Sequence, residues 1–322
     1  MKKGTIPQYT KGASLFCMKE KSPPRRAWRS VIPAVFLLTL IIFSSLTLCG
    51  CSTNFRYDNY DKYTVGEAAI TDIVRAVDVE WISGDIEFDF NGNPSDGIVF
   101  TESSKKGLSE ALSLHYWLDG TTLRLKFAAS GKANFNGISK KLKVIIPSDV
   151  TLTELNINGV SSNIKLDGAR ADSIYVNSVS GNISASDIRA GESVSLASTS
   201  GNVKGKILVA CKSLKMASVS GNISFSTEAR VRELSTETVS GNVFLSNLNP
   251  AKSGLVDTVS GDVELEFLDN SGFEISYETV SGDIVSDFNV YVHDSKYVYG
   301  TPNSAFKVKT VSGDLLISRS PT

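Results

Sequence analysis

The 322-residue chain is poor in the residues that most enzymes and metal sites need. It has two histidines and four cysteines, and Cys211 is the one cysteine beyond residue 51. An intradomain disulfide is therefore excluded from the later part of the chain, and the sequence holds no Cys/His cluster with zinc spacing. These shortages argue against a disulfide-rich domain, a metal site and histidine-based acid–base catalysis. We expect no enzymatic activity and no cofactor.

The chain also lacks an excess of positive charge in its main part. The first 51 residues hold eight Lys or Arg and one acidic residue. The whole chain has 33 Lys or Arg and 34 Asp or Glu, so the rest of the chain has 25 basic and 33 acidic residues. A nucleic-acid binder needs a basic face that replaces the counterions of the phosphate backbone. Nucleic acid is therefore not an expected partner.

The basic residues at the start precede an apolar run over residues 31–48. As a helix this run covers roughly 27 Å, just short of a bilayer core. It ends in Leu48-Cys49-Gly50-Cys51, which resembles the lipobox of bacterial lipoproteins and implies that Cys51 is acylated. An uncleaved single-helix anchor is the alternative, and either Met1 or Met18 is the start. Both interpretations predict membrane attachment through the leader.

The positive-inside rule gives the orientation of this leader. Arg25, Arg26 and Arg29 lie before the apolar run, which places them inside and everything after residue 51 outside. We therefore expect a protein of the cell membrane whose folded part is extracytoplasmic.

Four segments follow from the patterning. Residues 1–51 are the leader, and residues 52–69 are polar and read as a tether. Residues 70–147 alternate apolar and polar side chains around turn signals such as Asn91-Gly92, which predicts a small antiparallel layer. Residues 148–322 contain a repeat, and the antiparallel layer is expected to cap its first unit.

The repeat is the phrase Val-Ser-Gly-Asn/Asp-Val/Ile, which returns about every twenty residues. A period of this size indicates a solenoid of stacked coils. A decayed copy stands at residues 160–164 and an outlying one at residues 82–86. The fold class predicted is all-β, a β-solenoid with coils of about 20 residues and an N-terminal antiparallel cap.

Each phrase is expected to form a corner. The hydroxyl residue before it and the apolar residue after it are an odd number apart, so a straight strand would point them to opposite faces. We expect glycine to supply a positive φ, and the asparagines to form a ladder in which each amide donates to the next. The corner residues are Gly181, Gly201, Gly221, Gly241, Gly261, Gly282, Gly313, Asn182, Asn202, Asn222 and Asn242.

Two groups of residues are candidates for binding. Asp262, Glu264 and Glu266 alternate with apolar residues and share an outer, acidic face, which is either a surface for a cation or partner or, as we favour, a soluble exterior. A 31-residue step before the last phrase holds Tyr291, His293, Tyr297 and Tyr299, which either bind a ligand or cover the last coil. Aspartate at the last three corners raises the question of a bound cation. One carboxylate per coil supplies too few ligands, so no metal site is predicted.

These features together resemble the bacterial DUF4097 family of adhesin-like β-strand-repeat proteins. The similar residues are Val79 to Ile86, Leu142 to Pro147 and the repeats of 160–315. The resemblance implies an extracytoplasmic β-solenoid-like domain, often membrane-tethered, with no established catalytic residues.

The function predicted is a non-catalytic surface or envelope protein, a binding scaffold for protein or cell-wall glycan. An accessory or sensing role in envelope-stress signalling is the alternative. A β-helix enzyme acting on polysaccharide is a third hypothesis, but it needs acids, bases or metal ligands that converge on one face. The ligand and the oligomeric state do not follow from the sequence.

Overall fold

The computed structural model describes residues 54–320, except residues 133, 210, 228, 249–250 and 269–271. The leader, with the predicted lipidation site Cys51, lies outside the described residues.

The first nine strands come before residue 148. They are β1 (Asn54–Phe55), β2 (Thr64–Val65), β3 (Ala68–Ile70), β4 (Ala76–Gly92), β5 (Ile98–Ser104), β6 (His115–Asp119), β7 (Thr122–Lys126), β8 (Gly131–Lys132) and β9 (Lys140–Pro147). Short 3-10 turns occur at Tyr60–Lys62, Pro94–Asp96 and Glu110–Leu112.

The remaining strands carry the repeat. They are β10 (Leu152–Asp167), β11 (Arg170–Ser180), β12 (Ile183–Ser200), β13 (Val203–Ile207), β14 (Ser213–Ser218), β15 (Ile223–Thr227), β16 (Glu233–Thr238), β17 (Val243–Leu248), β18 (Ser253–Asp257), β19 (Val263–Phe267), β20 (Phe273–Glu278), β21 (Ile284–Ser286), β22 (Tyr291–His293), β23 (Lys296–Tyr299), β24 (Ala305–Lys309) and β25 (Leu315–Arg319).

The repeat folds as a β-solenoid, which confirms the predicted fold class. Each coil contributes one strand before its corner and one after it, and equivalent strands of neighbouring coils pair in parallel, as β14 pairs with β16 and β15 with β17. The register advances by one phrase per coil, so that Leu214 lies beside Leu234 and Ile223 beside Val243. The twenty-residue period is therefore one turn of the stack.

The order of the coils departs from the order of the chain at the C-terminal end of the stack. The strands β18 and β19 pair with β24 and β25, not with β20 and β21. The strands β20 and β21 pair with the other side of β24 and β25. The coil of residues 305–319, which we call the inserted coil, thus lies between the coils of residues 253–267 and 273–286.

The predicted boundary at residue 147 is not a break in the sheets. Strand β4 pairs in parallel with β10 over Ala76 to Asp89, so the outlying phrase forms a full coil of the solenoid. Strands β7 and β9 pair in parallel with the two halves of β4 and form one more coil beyond it. The antiparallel strands β2, β3, β5 and β6 cover the edges of β7 and β9, and β1 pairs antiparallel with β8 in a separate small sheet.

The predicted polar tether is also partly folded. Strand β1 pairs with β8, and β3 pairs with β5. Tyr57 donates its hydroxyl to the carbonyl of Ala128 at 3.1 Å, and its ring lies 4.7 Å from that of Tyr63. Residues 54–70 therefore belong to the cap, because their aromatic side chains give the segment apolar surface to bury.

The core runs along the stack, enclosed by the strands that precede the corners and the strands that follow them. Alternate residues of each strand point inward, for example Leu214 and Met216 in β14 and Ile223 and Phe225 in β15. Burial of each such side chain stabilises the fold by about 1.5–3 kcal/mol. Cys211 is buried, and burial raises the pKa of its thiol to about 11.

Aromatic side chains close the core at both ends. Trp81 packs edge-on against Phe127 at 5.0 Å in the N-terminal coils. At the other end, Phe267 stacks on Phe273 at 4.4 Å and meets Phe306 of the inserted coil at 5.3 Å. A solenoid needs such closure because its terminal coils have a neighbour on one side only.

In the part of the chain that the structure describes, none of the helices has the length and apolar character needed to cross a bilayer.

Candidate functional site

The corner glycines form a column in which each one lies close to the backbone of the preceding coil. A Cβ atom on Gly201, Gly221 or Gly241 would lie 2.1–2.2 Å from the carbonyl oxygen of the corner glycine before it. The inserted coil shows the same contact with its neighbour in space. A Cβ on Gly313 would lie 2.1 Å from the carbonyl oxygen of Gly261. Glycine is required here because no side chain fits.

The expected positive φ at these corners is wrong. None of the seven predicted corner glycines has a φ in the left-handed region, and Gly84 of the outlying phrase is the corner glycine that does, at +111°. Close approach, and not backbone conformation, therefore explains the glycine of the repeat.

The corner asparagines do form a ladder, but the predicted donor is wrong. The side-chain Oδ1 of each residue accepts the backbone N–H of its counterpart in the next coil. Asn182, Asn202 and Asn222 accept in this way at 2.9 Å. Between the four predicted corner asparagines no side-chain amide donates to the next, whereas Nδ2 of Asn163 in the decayed phrase does donate to Oδ1 of Asp85 at 3.1 Å.

The same bond explains why aspartate replaces asparagine at the last corners. Asn242 accepts from Asp262, Asp262 from Asp314 and Asp314 from Asp283, at 2.8–3.0 Å. Only an acceptor oxygen is needed, and a carboxylate supplies one as well as an amide does. Among the described residues there is no group of three or more His, Cys, Asp or Glu side chains that could hold a metal ion; the absence of a metal stays a prediction.

The serines before the corners bond to the same column. Ser178, Ser198 and Ser218 donate their hydroxyls to the corner carbonyl oxygens of the preceding coil at 2.9–3.0 Å. In the coil of residues 273–286 this role passes to Tyr277, which donates to the carbonyl of Gly313 at 2.6 Å. Burial raises the pKa of Tyr277 to about 12, so the hydroxyl keeps its proton.

The three acidic candidates lie along the inserted coil. Glu264 accepts from the hydroxyl of Ser318 at 3.0 Å, and Glu266 accepts from that of Ser320 at 2.9 Å. Both glutamates are half-buried, whereas Asp262 is exposed at its corner. Their carboxylates are thus already used to bind the neighbouring strand.

The aromatic candidates lie on and beside the hairpin of β22 and β23, and they divide into two pairs. Tyr291 is 55% exposed, and the side chain of His293 is 67% exposed beside Asp294 at 3.5 Å. Tyr299 packs against Phe288 at 4.7 Å and Phe273 at 5.5 Å, and Tyr297 packs partly buried against the core. The first pair faces outward, and the second covers the end of the core.

The hairpin extends the stack beyond its last coil. Strand β23 pairs antiparallel with β20, and β22 pairs antiparallel with β23. Asp294 and Ser295 connect them with φ values of 50° and 61°, the conformation of a tight two-residue turn. Val292 lies between Tyr291 and His293 in β22 and is 50% exposed, on the opposite face of the strand.

The sequence analysis missed a buried ion pair in the N-terminal coils. Lys140 lies opposite Gly84, where other coils have their corner glycine, and its Nζ lies 2.5 Å from Oε1 of Glu102. The ammonium group also lies 3.9 Å from the ring centre of Phe127 and 4.8 Å from that of Trp81. Burial lowers the pKa of Lys140, and Glu102 opposes that shift. No pattern in the sequence pairs these two residues.

Residues 98–318, more than half of the chain, match the model of the family described as Toastrack DUF4097. The chain belongs to this family. A search of the curated proteins finds no match to this Toastrack chain.

Solved structures that resemble the Toastrack chain include three proteins. A putative adhesin from Bacteroides fragilis has a TM-score of 0.49 at 14% identity, with 80% of this chain and 97% of that one covered. A putative lipid binding protein from Parabacteroides distasonis has a TM-score of 0.44 at 17% identity, with 81% of this chain and 99% of that one covered. A putative cell adhesion protein from Clostridium sporogenes has a TM-score of 0.26 at 11% identity, with 80% of this chain and 99% of that one covered.

Proposed function

We propose that this Toastrack chain is a non-catalytic binding scaffold of the cell envelope. Its solenoid holds the hairpin of β22 and β23 away from the membrane, and the hairpin contacts protein or cell-wall glycan. The observation that supports the proposal is the outward pair Tyr291 and His293 on a hairpin that continues a rigid stack. Exposed aromatic rings suit both sugar stacking and protein contact.

The proposal includes the anchoring expected from the leader. Attachment through Cys51 or through an uncleaved helix would leave the folded part outside the membrane. The N-terminal coils, which follow the leader in the chain, would then be nearer the membrane than the hairpin in the assembled protein.

Surface display of the whole chain tests the function. Cells that carry the wild-type chain are expected to retain labelled cell-wall glycan or partner cells, and the double variant Tyr291→Ala, His293→Ala is expected to lose most of that retention. Tyr175→Ala is the matched control, because Tyr175 is 38% exposed on the side of the solenoid. Equal retention by the hairpin variant would contradict the proposed site, and no retention by the wild type would favour the sensing role.

A further inference from the structure

A cavity of about 530 Å³ opens at the start of the corner column. Its lining comes from Asp85, Ser103 to Lys106, Gly137 and Ser139 to Lys141. Asp85 lies opposite Lys141 in the parallel pairing of β4 with β9, so the cavity adjoins the last two coils at the N-terminal end of the stack. It is far along the chain from the hairpin proposed above.

The topology brings lysines from two separate strands to this cavity. Strand β9 begins at Lys140, and β5 runs antiparallel to it, with Ser103 opposite Lys141. Lys105 and Lys106 follow directly where the chain leaves β5. Lys105 and Lys141, which are 36 residues apart in sequence, therefore line the same cavity.

The turn that carries two of these lysines is held in place. The Ser104 hydroxyl accepts the backbone N–H of Lys106 at 3.2 Å and donates to the carbonyl of Ser139 at 3.4 Å. Gly137 has a φ of +67°, and a Cβ there would lie 3.2 Å from Nζ of Lys106. The Lys106 ammonium group thus lies over the Gly137 backbone at the cavity wall.

The positive charge here is poorly compensated. Within the described residues, neither Lys105 nor Lys106 has a carboxylate oxygen within 4.0 Å, whereas Lys141 pairs with Glu87 at 2.6 Å. Asp85 is the acid that lines the cavity, and its Oδ1 already accepts from Nδ2 of Asn163 at 3.1 Å. The cavity therefore offers two ammonium groups that form no ion pair with a carboxylate of the described residues, together with the exposed residues Ser103 and Ser139.

We propose that this cavity binds a phosphate group carried by a small organic molecule. A tetrahedral phosphate presents several acceptor oxygens, which two ammonium groups and neighbouring hydroxyls bind by charge-assisted hydrogen bonds. The volume is in the range of small-molecule sites, so it has room for glycerol or a sugar beside the phosphate. A phospholipid headgroup and a soluble phosphorylated sugar share this chemistry. The inference does not depend on the function proposed for the hairpin.

Calorimetric titration of the full chain in non-ionic detergent tests it. The probes are inorganic phosphate, glycerol 3-phosphate, glucose 1-phosphate and a short-chain phosphatidylglycerol. We expect saturable binding of one organic phosphate per chain. The variant Lys105→Ala, Lys106→Ala should bind at least about ten-fold more weakly, the factor lost with roughly one charge-assisted hydrogen bond. The double variant Lys204→Ala, Lys252→Ala removes the same charge from exposed positions in the repeat and should bind as the wild type does.

The outcomes separate the sources of the phosphate. Tighter binding of phosphatidylglycerol than of glucose 1-phosphate would assign the cavity to a lipid headgroup, and the reverse would assign it to a soluble sugar phosphate. No saturable binding of any probe would overturn the proposal, and so would an equal loss in the control variant, which would indicate unspecific charge attraction. Circular dichroism establishes that both double variants are folded. Binding here with no cell or glycan retention by the hairpin would reject the proposed function alone.

Discussion

The backbone N–H of Asp314 donates to Oδ1 of Asp262 at 3.0 Å, although 52 residues separate them. Asp283, which is closer in sequence to Asp262, donates instead to Asp314 at 2.8 Å. The inserted coil therefore separates two coils that are consecutive in the chain.

Charge gives a physical reason for this order. In one row across the sheet, Glu237 lies beside Asp257, Asp257 beside Lys309, and Lys309 beside Glu278. Stacking in chain order would place Asp257 directly beside Glu278, and like charges on adjacent strands are destabilising. Lys307 adds an ion pair with Glu278 at 2.7 Å.

Engineered disulfides test the coil order. Ser260 and Ser281 are each paired with Ser312 by an isolated parallel β-bridge of the backbone. Neighbouring strands lie about 4.8 Å apart, within the range of a disulfide, and next-nearest strands lie beyond it. We expect Ser260→Cys, Ser312→Cys to cross-link under mild oxidation and Ser260→Cys, Ser281→Cys to remain reduced, as read by mass spectrometry of the linked peptides. The opposite pattern would mean that the coils stack in chain order.

Asp257 should make stability depend on pH. It is 7% exposed, and burial raises the pKa of its carboxyl, while Lys309 lowers it less. Because the folded pKa exceeds the unfolded value of about 3.9, ionisation costs the folded chain stability as the pH rises through that window. Asp257→Asn should therefore raise the free energy of unfolding at pH 7 and have little effect below about pH 4. Urea unfolding at both pH values measures this, with the exposed Asp149→Asn as the control; a stabilisation that is equal at both would refute the ionisation account.

Gly221→Ala should be strongly destabilising. The added Cβ would lie 2.2 Å from the carbonyl oxygen of Gly201, so the coils would have to separate. We expect a loss of about 3 kcal/mol in the free energy of unfolding, measured with urea. Gly191→Ala is the control, because its Cβ would meet no atom closer than 3.8 Å. Equal effects at the two positions would show that close approach is not the reason for glycine at the corner.

The corner ladder requires an oxygen acceptor, and neither charge nor an amide donor. Asn222→Asp keeps the oxygen that accepts the Asn242 N–H at 2.9 Å and should be close to neutral. Asn222→Leu removes that oxygen at similar size and should cost about 1 kcal/mol. Thermal unfolding of both variants compares them. A larger loss for the aspartate variant would indicate that the amide donates after all.

The buried pair of Lys140 and Glu102 should behave as a unit. Lys140→Met leaves Glu102 buried without its partner and should cost about 3–5 kcal/mol. Adding Glu102→Gln removes the stranded charge and keeps an oxygen for the Leu114 N–H, which donates to Glu102 at 3.1 Å. The double variant should therefore be more stable than Lys140→Met alone, and additive losses in a double-mutant cycle would contradict the coupling.

The period of the repeat was enough to predict the coils and their corners, because glycine and a side-chain acceptor recur at the point where strands must approach. The stacking order was not predictable from the phrases. Val280-Ser281-Gly282-Asp283 and Val311-Ser312-Gly313-Asp314 are the same four residue types, so each fits the coil of Gly261 equally well. The lysines whose charge favours the observed order lie outside the phrase, at 307 and 309.

The N-terminal features depend on contacts between distant segments. The phrase at Gly84 is separated from its neighbour at Ser162 by the cap strands, which hides its place in the stack. Lys105, Lys106 and Lys141 are ordinary surface lysines in the sequence, and only the pairing of β5 with β9 brings them to one cavity. The hairpin residues were recognisable as a projection, but their division into an outward and an inward pair required the packing of Tyr299 on Phe288.

The inserted coil also constrains how the protein is made. Coils up to residue 267 can dock one after another as the chain is synthesised, each on a coil that is already complete. Residues 273–286 must wait, since their parallel neighbour is synthesised after them. A chain that ends before residue 305 would leave residues 273–286 without their parallel neighbour and expose their apolar side chains to proteases. A complete stack can therefore form only when residues 305–319 have been synthesised as well.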